Sequence, residues 1–403
     1  MAAQARGSLK VCDIVQAWGP KSGGVKRYVR GKMDYAGSCP FLEHVLIVPG
    51  GQDARRWEQR SLVYEIESFP IVGTQGYRLL LNRDRMLEII DREAPDVLEV
   101  GNAYRPAWVA VEAGQRERIP VVAFYHSDFP RALGEKLKEI VGLSLGEPFT
   151  RAVEHYLAEL YNQMDAVLVA TVDFQKRLHT MGVERVVRIP LGTDTNLFYP
   201  RDSRSRVLEE LGLPEETRLL LFVGRFADMK NLPVLLASLD ELPPEGGPYH
   251  LVLVGDGEKR AMVGRAASER SDVTWYPYVE DHDKLAALYS AADLFVNPGT
   301  RETFGLVSVE AQACCTPVLG VRRGGMDETL QEGEIMAEEA TPSALAEAAG
   351  RILARKETEE VRVARRRWVE NHFSLKRTFD RLFSFYGDLG KGKPLAPWLD
   401  EEG

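Results

Sequence analysis

The sequence has few cysteines, no long apolar run and no excess of basic residues. Its 403 residues include four cysteines (Cys12, Cys39, Cys314 and Cys315) without CxxC spacing, so neither a disulfide framework nor a cysteine metal site is predicted. No apolar run approaches the roughly 18 residues of a membrane span, and the N-terminus lacks the apolar core of a signal peptide. The formal net charge of −9 argues against nucleic-acid binding. We therefore expect a globular, cytoplasmic protein with reduced thiols.

The acidic excess falls in the second half of the chain, while the first half contains two basic clusters. These are KSGGVKRYVRGK (residues 21–32) and RALGEKLKEI (residues 131–140). Clusters of this kind are most often solvated helix faces, and attraction to phosphate or to an anionic membrane is the alternative. Peripheral attachment to the inner face of a membrane is therefore the alternative to a purely cytoplasmic location.

Short apolar runs alternate with helical patterns, which is typical of parallel βαβ units. The pattern predicts helices such as 77–94, and a helical pattern at 368–389. Two series of strands are predicted, at 9–18, 44–50, 97–102, 120–127, 166–171 and 186–191, and at 219–225, 250–257, 273–279, 292–299 and 316–321. A Pro-, Gly- and Asp-rich stretch, residues 190–203, separates them. The predicted fold is α/β, with two Rossmann-like doubly wound domains meeting near residue 192 and facing a central cleft.

Three loops that follow predicted strands carry candidate ligand-binding residues. GPKSGGV (residues 19–25) provides glycines whose backbone N–H groups can approach an anion, and a tight structural turn is an equal alternative. GRFADMKNL (residues 224–232) places Arg225 and Lys230 where both cations can reach a diphosphate. In FYHSDFP (residues 124–130) a predicted strand ends in His126 and Asp128, and His126 can hydrogen-bond a hydroxyl or transfer a proton, although a lone histidine is more often structural.

The stretch RETFGLVSVEAQACC, residues 301–315, carries Glu302 in a loop and Glu310 in an apolar helix. A buried carboxylate such as Glu310 requires a partner or a ligand hydroxyl. Eight helical residues span about 12 Å, which exceeds the roughly 5 Å between the carboxylates of a retaining glycosidase. The spacing therefore fits two ends of one elongated ligand, while a helix cap plus a core ion pair is the alternative.

Together these motifs resemble those of the GT-B glycosyltransferases, and specifically the retaining enzymes of glycosyltransferase family 4. The resemblance extends over nearly the whole chain and includes GTDTNLFYP (residues 192–200) and GDGE (residues 255–258). It implies an acceptor-binding domain at residues 1–192, a nucleotide-sugar donor domain at 193–370, and a helix and tail at 371–403 that cross back to the first domain. It also implies that no metal or other cofactor is required.

The resemblance further implies a role for each candidate residue. Glu302 would contact the donor sugar and Glu310 the ribose, Val279 would meet the base, and His126 would lie beside the transferred sugar. The diphosphate would be met by the Arg225 and Lys230 cations and by backbone N–H groups of Gly23, Gly24, Phe304, Gly305 and Leu306. His126, Glu302, Arg225 and Lys230 are the predicted catalytic set.

The implied reaction is transfer of a hexose, with a UDP-sugar favoured as donor and GDP-mannose next, to an acceptor hydroxyl of a lipid, a glycolipid or another glycan. Thr303 stands where most members of the family have glycine, so the loop beside the sugar is expected to be stiffer. The alternatives are a non-hydrolysing nucleotide-sugar epimerase, which shares the architecture, and a nucleotide-sugar-binding module without activity.

Overall fold

The chain forms two compact units, which a computed structural model describes at residues 7–19, 23–71, 76–128, 130, 143–277, 279, 281–322 and 326–399, with the backbone alone at 143–146. The first unit comprises Met1–Pro190 and Phe379–Gly403, and the second comprises Leu191–Thr378. The terminal segment therefore belongs to the first unit, although the second unit precedes it in the chain.

Within its described residues, the first unit contains an eight-stranded sheet in the order β10-β9-β8-β7-β1-β2-β4-β3. Its strands are β1 (Leu9–Ile14), β2 (Leu42–Gly50), β3 (Ala54–Glu58), β4 (Ser61–Glu67), β7 (Val97–Val100), β8 (Val121–Phe124), β9 (Ala166–Val169) and β10 (Val186–Arg188), with a separate pair β5 (Phe69–Pro70) and β6 (Arg78–Leu79). Its helices before the second unit are α1 (Gly24–Ser38), α2 (Arg83–Glu93), α3 (Arg105–Glu117), α4 (Leu143–Tyr161) and α5 (Val172–Thr180). All neighbours in the sheet are parallel except β3, which pairs antiparallel with β4 at the edge.

The second unit contains a parallel sheet in the order β13-β12-β11-β14-β15-β16. Its strands are β11 (Arg218–Val223), β12 (Tyr249–Val254), β13 (Val273–Tyr276), β14 (Leu294–Asn297), β15 (Val318–Val321) and β16 (Met336–Ala337). Its helices are α6 (Arg204–Leu211), α7 (Leu232–Ser238), α8 (Arg260–Glu269), α9 (His282–Ala291), α10 (Leu306–Ala313), α11 (Pro342–Leu353) and α12 (Glu359–His372). Helix α13 (Leu375–Gly390) starts in this unit and ends in the first, and α14 (Ala396–Leu399) follows.

Burial on both faces explains why the central strands read as continuous apolar runs. Every residue of β7, β8 and β9 is buried, as is every residue of β14 and β15. Parallel strands covered by helices require such sequences. The predicted α/β class with two parallel-sheet, Rossmann-like units is confirmed.

Several elements differ from the sequence-based expectation. The strands β3 and β4 were not predicted, because ARRWEQRSLVYEIE combines charges with apolar residues, and β3 is the edge strand of the sheet. The helix predicted at 77–94 begins only at Arg83, since Arg78–Leu79 form a short strand instead. The helical pattern predicted at 368–389 is divided into α12 and α13 at Phe373 and Ser374, where the backbone bonds to Thr193 instead of continuing the helix.

The described residues include no helix that is both long and apolar enough to cross a membrane. The four cysteines are all free thiols. Burial is the main reason that the pKa of Cys314 rises to about 12, so this thiol stays protonated at neutral pH.

Candidate functional site

The order of strands in the second unit creates a topological switch point between β11 and β14. The chain winds from β11 to β12 and β13 on one side and from β14 to β15 and β16 on the other. Ligands of open α/β sheets bind at the carboxyl ends of strands at such a point. The two loops that leave these strands are joined directly, because the Asn231 Nδ2 atom donates to the carbonyl oxygen of Pro298 at 2.9 Å.

Lys230 and Glu302 form an ion pair at this switch point. Lys230 closes the loop after β11 and Glu302 lies in the loop after β14, and their side chains are only 15% and 11% exposed. Gly299 leaves room for the carboxylate, since a Cβ atom there would lie 3.0 Å from Glu302 Oε1. The structure thus brings two of the four predicted catalytic residues into direct contact.

Arg225 lies at the start of the same loop but has a different partner. Its side chain is 72% exposed and contacts Glu258 at 3.5 Å. The backbone of the GDGE motif, which includes Glu258, packs directly against the backbone of the loop that carries Arg225. A Cβ atom on Gly255, whose φ is +145°, would lie 1.9 Å from the carbonyl oxygen of Gly224, so only glycine fits.

Glu310 is buried within α10, where it accepts a hydrogen bond from a tyrosine. The residue is 1% exposed, and the Tyr289 hydroxyl donates to its Oε2 atom at 2.9 Å. Tyr289 is itself fully buried in α9. The predicted requirement for a partner is therefore met by a protein group, and a hydrogen bond to a carboxylate is stronger than one between neutral groups.

The turn between the two glutamates has the backbone geometry of a helix start. Gly305 precedes α10 with φ +78°, and a Cβ atom there would lie 2.8 Å from Met326 Cγ, so glycine is required. Phe304 is buried and Leu306 begins the helix, whose first N–H groups lack intrahelical acceptors. Val279, the residue predicted near a base, is half-buried just before α9.

The remaining predicted residues lie in the first unit. Gly23 and Gly24 lead into α1, and a Cβ atom on either would meet no described atom within 4 Å. His126 follows β8, with its ring stacked on Phe124 at a centroid distance of 4.4 Å. Its Nε2 atom is buried and has no hydrogen-bond partner among the described residues. Burial, assisted by Lys32, lowers the pKa of His126 to about 3, so the imidazole is neutral at physiological pH.

A buried network of charged residues lies in the first unit, and sequence analysis did not identify it. Lys32 was assigned to a basic surface cluster, but its side chain is fully buried and its Nζ atom lies 3.0 Å from Asp13 and 2.8 Å from Glu99. His44 contacts Asp13 at 3.2 Å. Tyr28 and Tyr386 donate to Glu99 from α1 and α13. The other basic cluster, residues 131–140, lies outside the described residues.

The two carboxyl groups of this network respond differently to the same lysine. Burial would raise the pKa of Asp13, but Lys32 and His44 together hold it below its ordinary value. Burial raises the pKa of Glu99 from 4.5 to about 7, and Asp13 adds to the rise while Lys32 opposes it. Glu99 therefore keeps its proton in the folded protein at a pH where it is ionised in the unfolded chain.

Replacing Glu99 with glutamine is expected to change how stability depends on pH. Between pH 4.5 and 7 the folded wild type retains a proton that the unfolded chain has lost, so Glu99 contributes less stability as pH rises. Because glutamine does not titrate, the stability of the Glu99→Gln variant does not include this decrease as the pH rises. Its Tm relative to wild type should increase by roughly 5 °C or more from pH 5 to pH 8, measured by scanning fluorimetry.

The comparison with wild type at each pH is essential, because His126 has the opposite slope. Its lowered pKa makes the folded state more stable as pH rises toward 6.5, and this contribution is the same in both proteins. A Tm difference that stays constant from pH 5 to pH 8 would contradict the assignment of a protonated Glu99.

Sequence analysis therefore missed Asn231, Tyr289 and the network residues. An acidic residue inside an apolar strand was the available signal for the network, since Asp13 lies in VCDIV and Glu99 in VLEVG. No signal in the sequence identifies Tyr289 as the partner of Glu310. Among the described residues, no group of three or more His, Cys, Asp and Glu side chains is arranged to hold a metal ion.

Comparison with protein families gives two matches that follow each other along the chain. Residues 22–197 match the model described as glycosyltransferase family 4, and residues 203–371 match glycosyl transferases group 1. The chain is 27% identical over 361 residues to a GDP-mannose-dependent alpha-(1-6)-phosphatidylinositol dimannoside mannosyltransferase of Mycobacterium tuberculosis, covering 89% of this chain and 91% of that protein. It is 35% identical over 184 residues to a D-inositol 3-phosphate glycosyltransferase of Mycobacterium bovis, covering 43% of this chain but only 38% of that protein.

Two solved structures have the same fold. Sucrose-phosphate synthase from Thermosynechococcus elongatus superposes with a TM-score of 0.73 at 22% identity, covering 96% of this chain and 100% of that one. Anabaena HepE in complex with UDP-glucose superposes with a TM-score of 0.71 at 18% identity, covering 94% and 100%. They agree with the predicted GT-B fold class. Since the two family models together match most of the chain, it belongs to the group 1, or family 4, glycosyltransferases.

Proposed function

We propose that this glycosyltransferase transfers a hexose from a nucleoside-diphosphate sugar to an acceptor hydroxyl with retention of anomeric configuration. The observation that carries the proposal is the Lys230–Glu302 pair at the switch point of the second unit. This pair places a cation and a hydroxyl-binding carboxylate side by side, as transfer from a sugar diphosphate requires.

The two groups serve opposite ends of the bond that breaks. Negative charge develops on the diphosphate as it leaves, and Lys230 and Arg225 stabilise that charge without changing their own protonation. Arg225 is exposed, so its guanidinium can turn from Glu258 toward a phosphate. Glu302 accepts hydrogen bonds from sugar hydroxyls and thereby fixes the orientation of the ring.

The other donor contacts follow from position. Ribose hydroxyls are the proposed ligand of the Glu310 carboxylate, which Tyr289 orients through its hydrogen bond. Backbone N–H groups of Phe304, Gly305 and Leu306 at the start of α10 are proposed to meet the diphosphate. Val279 is proposed to contact the base through its backbone.

His126 is proposed to hydrogen-bond the transferred sugar as a neutral ring. The lowered pKa of His126 makes the imidazolium form rare at neutral pH, so it is unsuited to act as a general acid there. A neutral ring nitrogen still donates or accepts one hydrogen bond to a hydroxyl. We therefore assign His126 to positioning of the sugar and not to proton transfer.

GDP-mannose is the donor that we propose to test first. The mycobacterial relative that matches over nine-tenths of its length is GDP-mannose-dependent, which supports this donor over the UDP-sugar expected from the sequence. The name of the same relative includes a phosphatidylinositol dimannoside, which supports a glycolipid acceptor and an enzyme that acts at an anionic membrane surface. Because Lys32 is buried, a basic surface of the first unit that contacts such a membrane would have to consist of other residues.

A panel of GDP-, UDP- and ADP-sugars tests the proposal by thermal shift and by release of nucleoside diphosphate. One donor should raise the Tm by several degrees at saturation, because ligand binding stabilises the folded state. The shift should shrink in Glu310→Ala, and turnover should persist in EDTA, since metal independence is proposed. Stabilisation by no donor would refute the assignment. Binding without release of nucleoside diphosphate would favour a binding module, and interconversion of the sugar an epimerase.

Replacing Gly24 with alanine separates catalysis from folding. The position opens α1, and an added Cβ meets no described atom within 4 Å, so the helix should be unchanged or stabilised by about 0.5–1 kcal/mol. If its N–H group must approach the diphosphate closely, the methyl group should lower kcat/KM for the donor roughly tenfold or more.

Steady-state kinetics and thermal melting of the same preparation check this expectation. Gly37→Ala is unsuitable as a control, because a Cβ there would lie 2.6 Å from the carbonyl oxygen of Gln59. Gly387→Ala in α13 also meets no described atom and is the matched control. If the Gly24→Ala variant has the kinetic constants of wild type, the glycine loop does not contact the donor.

A further inference from the structure

The first unit has a switch point of its own, between β1 and β7. The chain winds outward through β2 on one side and β8 on the other. Gln16 lies two residues beyond β1, and Asn102 lies two residues beyond β7. The two loops are joined because Asn102 Oδ1 accepts a hydrogen bond from the backbone N–H group of Ala17 at 3.2 Å. A ligand of this unit is therefore expected at these loops.

The side chain of Gln16 is buried here without a donor for its oxygen. The residue is 8% exposed, and its Oε1 atom has no hydrogen-bond partner within the part of the chain that the structure describes. Buried polar groups are normally satisfied, so an unsatisfied one at a ligand-binding edge indicates a missing partner. Sequence analysis did not select Gln16, since glutamine has no diagnostic spacing.

A second unsatisfied atom borders the same edge. The Nε2 atom of His126, beyond β8, is also buried and unpartnered among the described residues. Gly101 lies between the two loops, and a Cβ atom there would be 4.0 Å from both the His126 ring and the side chain of Val15. Position 101 therefore adjoins both the His126 ring and Val15, the residue before Gln16.

The two atoms define the chemistry of the ligand. An amide oxygen only accepts hydrogen bonds, so Gln16 needs a donor. An ionised carboxylate or phosphate oxygen has no hydrogen to donate, so it would be repelled by the lone pairs of the Gln16 oxygen. A neutral imidazole nitrogen accepts or donates, and a hydroxyl group can satisfy either role. A neutral hydroxyl on a ring, as in a sugar or a cyclitol, supplies the donor that Gln16 Oε1 lacks.

We propose that Gln16 recognises a hydroxyl group of a sugar or cyclitol acceptor at the switch point of the first unit, with His126 Nε2 at its border. The proposal deepens the proposed function, because it assigns a specificity-determining residue for the acceptor. Asn102 is a positioning residue, since it holds the loop that carries Gln16.

Binding of simple polyols to the full-length protein tests this inference. The probes are methyl α-D-mannopyranoside and myo-inositol at millimolar concentration, observed by saturation-transfer difference NMR. Gln16→Met keeps the length of the side chain and removes its oxygen, and it should weaken binding of at least one probe roughly tenfold. Gln163→Met, at an exposed position of the same unit, is the matched control and should bind as wild type does.

Each result decides the question. Loss of probe binding in Gln16→Met, with a native melting transition, supports the inference, and Gln16→Leu serves if the methionine variant does not fold. Equal binding by wild type and Gln16→Met overturns it, as it would if Gln16 held only water. Binding of neither probe by wild type also overturns it. The donor panel is run on the same preparations, so a missing donor shift counts against the proposed function and not against this subsite.

Discussion

Replacing Lys230 with alanine is expected to lower kcat roughly 10²- to 10³-fold, with a much smaller change in KM for the donor. The reason is that charge on the leaving diphosphate is greatest in the transition state, where a fixed cation contributes most. Lys230 is held in place by Glu302 and is only 15% exposed, so water replaces it poorly. Initial rates of nucleoside-diphosphate release over a range of donor concentrations give both constants.

The control for this variant is Lys356→Ala, which removes a lysine from an exposed position of the same unit. It should retain wild-type rates. Thermal melting is measured in parallel, because the alanine variant leaves Glu302 without its cation at a partly buried position. A kcat for Lys230→Ala within a factor of two of wild type would remove Lys230 from the catalytic set.

Replacing Lys32 with methionine is expected to destabilise the first unit by about 3–5 kcal/mol. Removing Lys32 takes away the cation that keeps the buried Asp13 ionised beside Glu99, so Asp13 must also bind a proton or remain as a poorly compensated buried charge. The Tm should fall by roughly 10 °C at pH 7. Scanning fluorimetry or calorimetry measures the fall directly.

The same loss should be largely recovered when the uncompensated charges are also removed. Lys32→Met combined with Asp13→Asn and Glu99→Gln should melt well above the single variant. Lys391→Met, at an exposed position of the first unit, is the matched control. If the single variant melts within about 2 °C of wild type, the network does not depend on its lysine.

The architecture could be predicted from the sequence because strands that are buried on both faces of a sheet are visible as continuous apolar runs. β7, β8 and β9 were each predicted within a few residues of their observed bounds. The edge strand β3 was missed, because Arg55 and Arg56 are exposed and interrupt any apolar run. Its neighbour β4 is mostly buried and was missed as well, although Leu62, Val63 and Tyr64 form a short apolar run. Local patterns also did not show that α12 ends at His372, where the backbone meets Thr193 from a distant part of the chain.

The candidate site was predictable where residues of one motif act together, and not where partners come from different loops. Gly305 and Glu310 stand in one short stretch, so a helix start beside a buried carboxylate could be predicted. The partner of Glu310 lies 21 residues away in α9, and that of Lys230 lies 72 residues away after β14. Such pairs depend on the order of strands in the sheet, which spacing along the chain does not encode. Whether these residues bind a donor stays a prediction.

The edge strand β3 bears on how this chain behaves at high concentration. A parallel sheet that ended at β4 would expose a row of free N–H and carbonyl groups, which is a template for pairing with another chain. β3 covers that row with five residues, and Arg56 forms ion pairs with Glu58 on its own strand and with Glu65 on β4. Trp57 alternates with these charges and is 69% exposed. The charges around Trp57 therefore protect the sheet from edge-to-edge aggregation, and neutral substitutions at Arg55 or Arg56 are the changes that would weaken this protection.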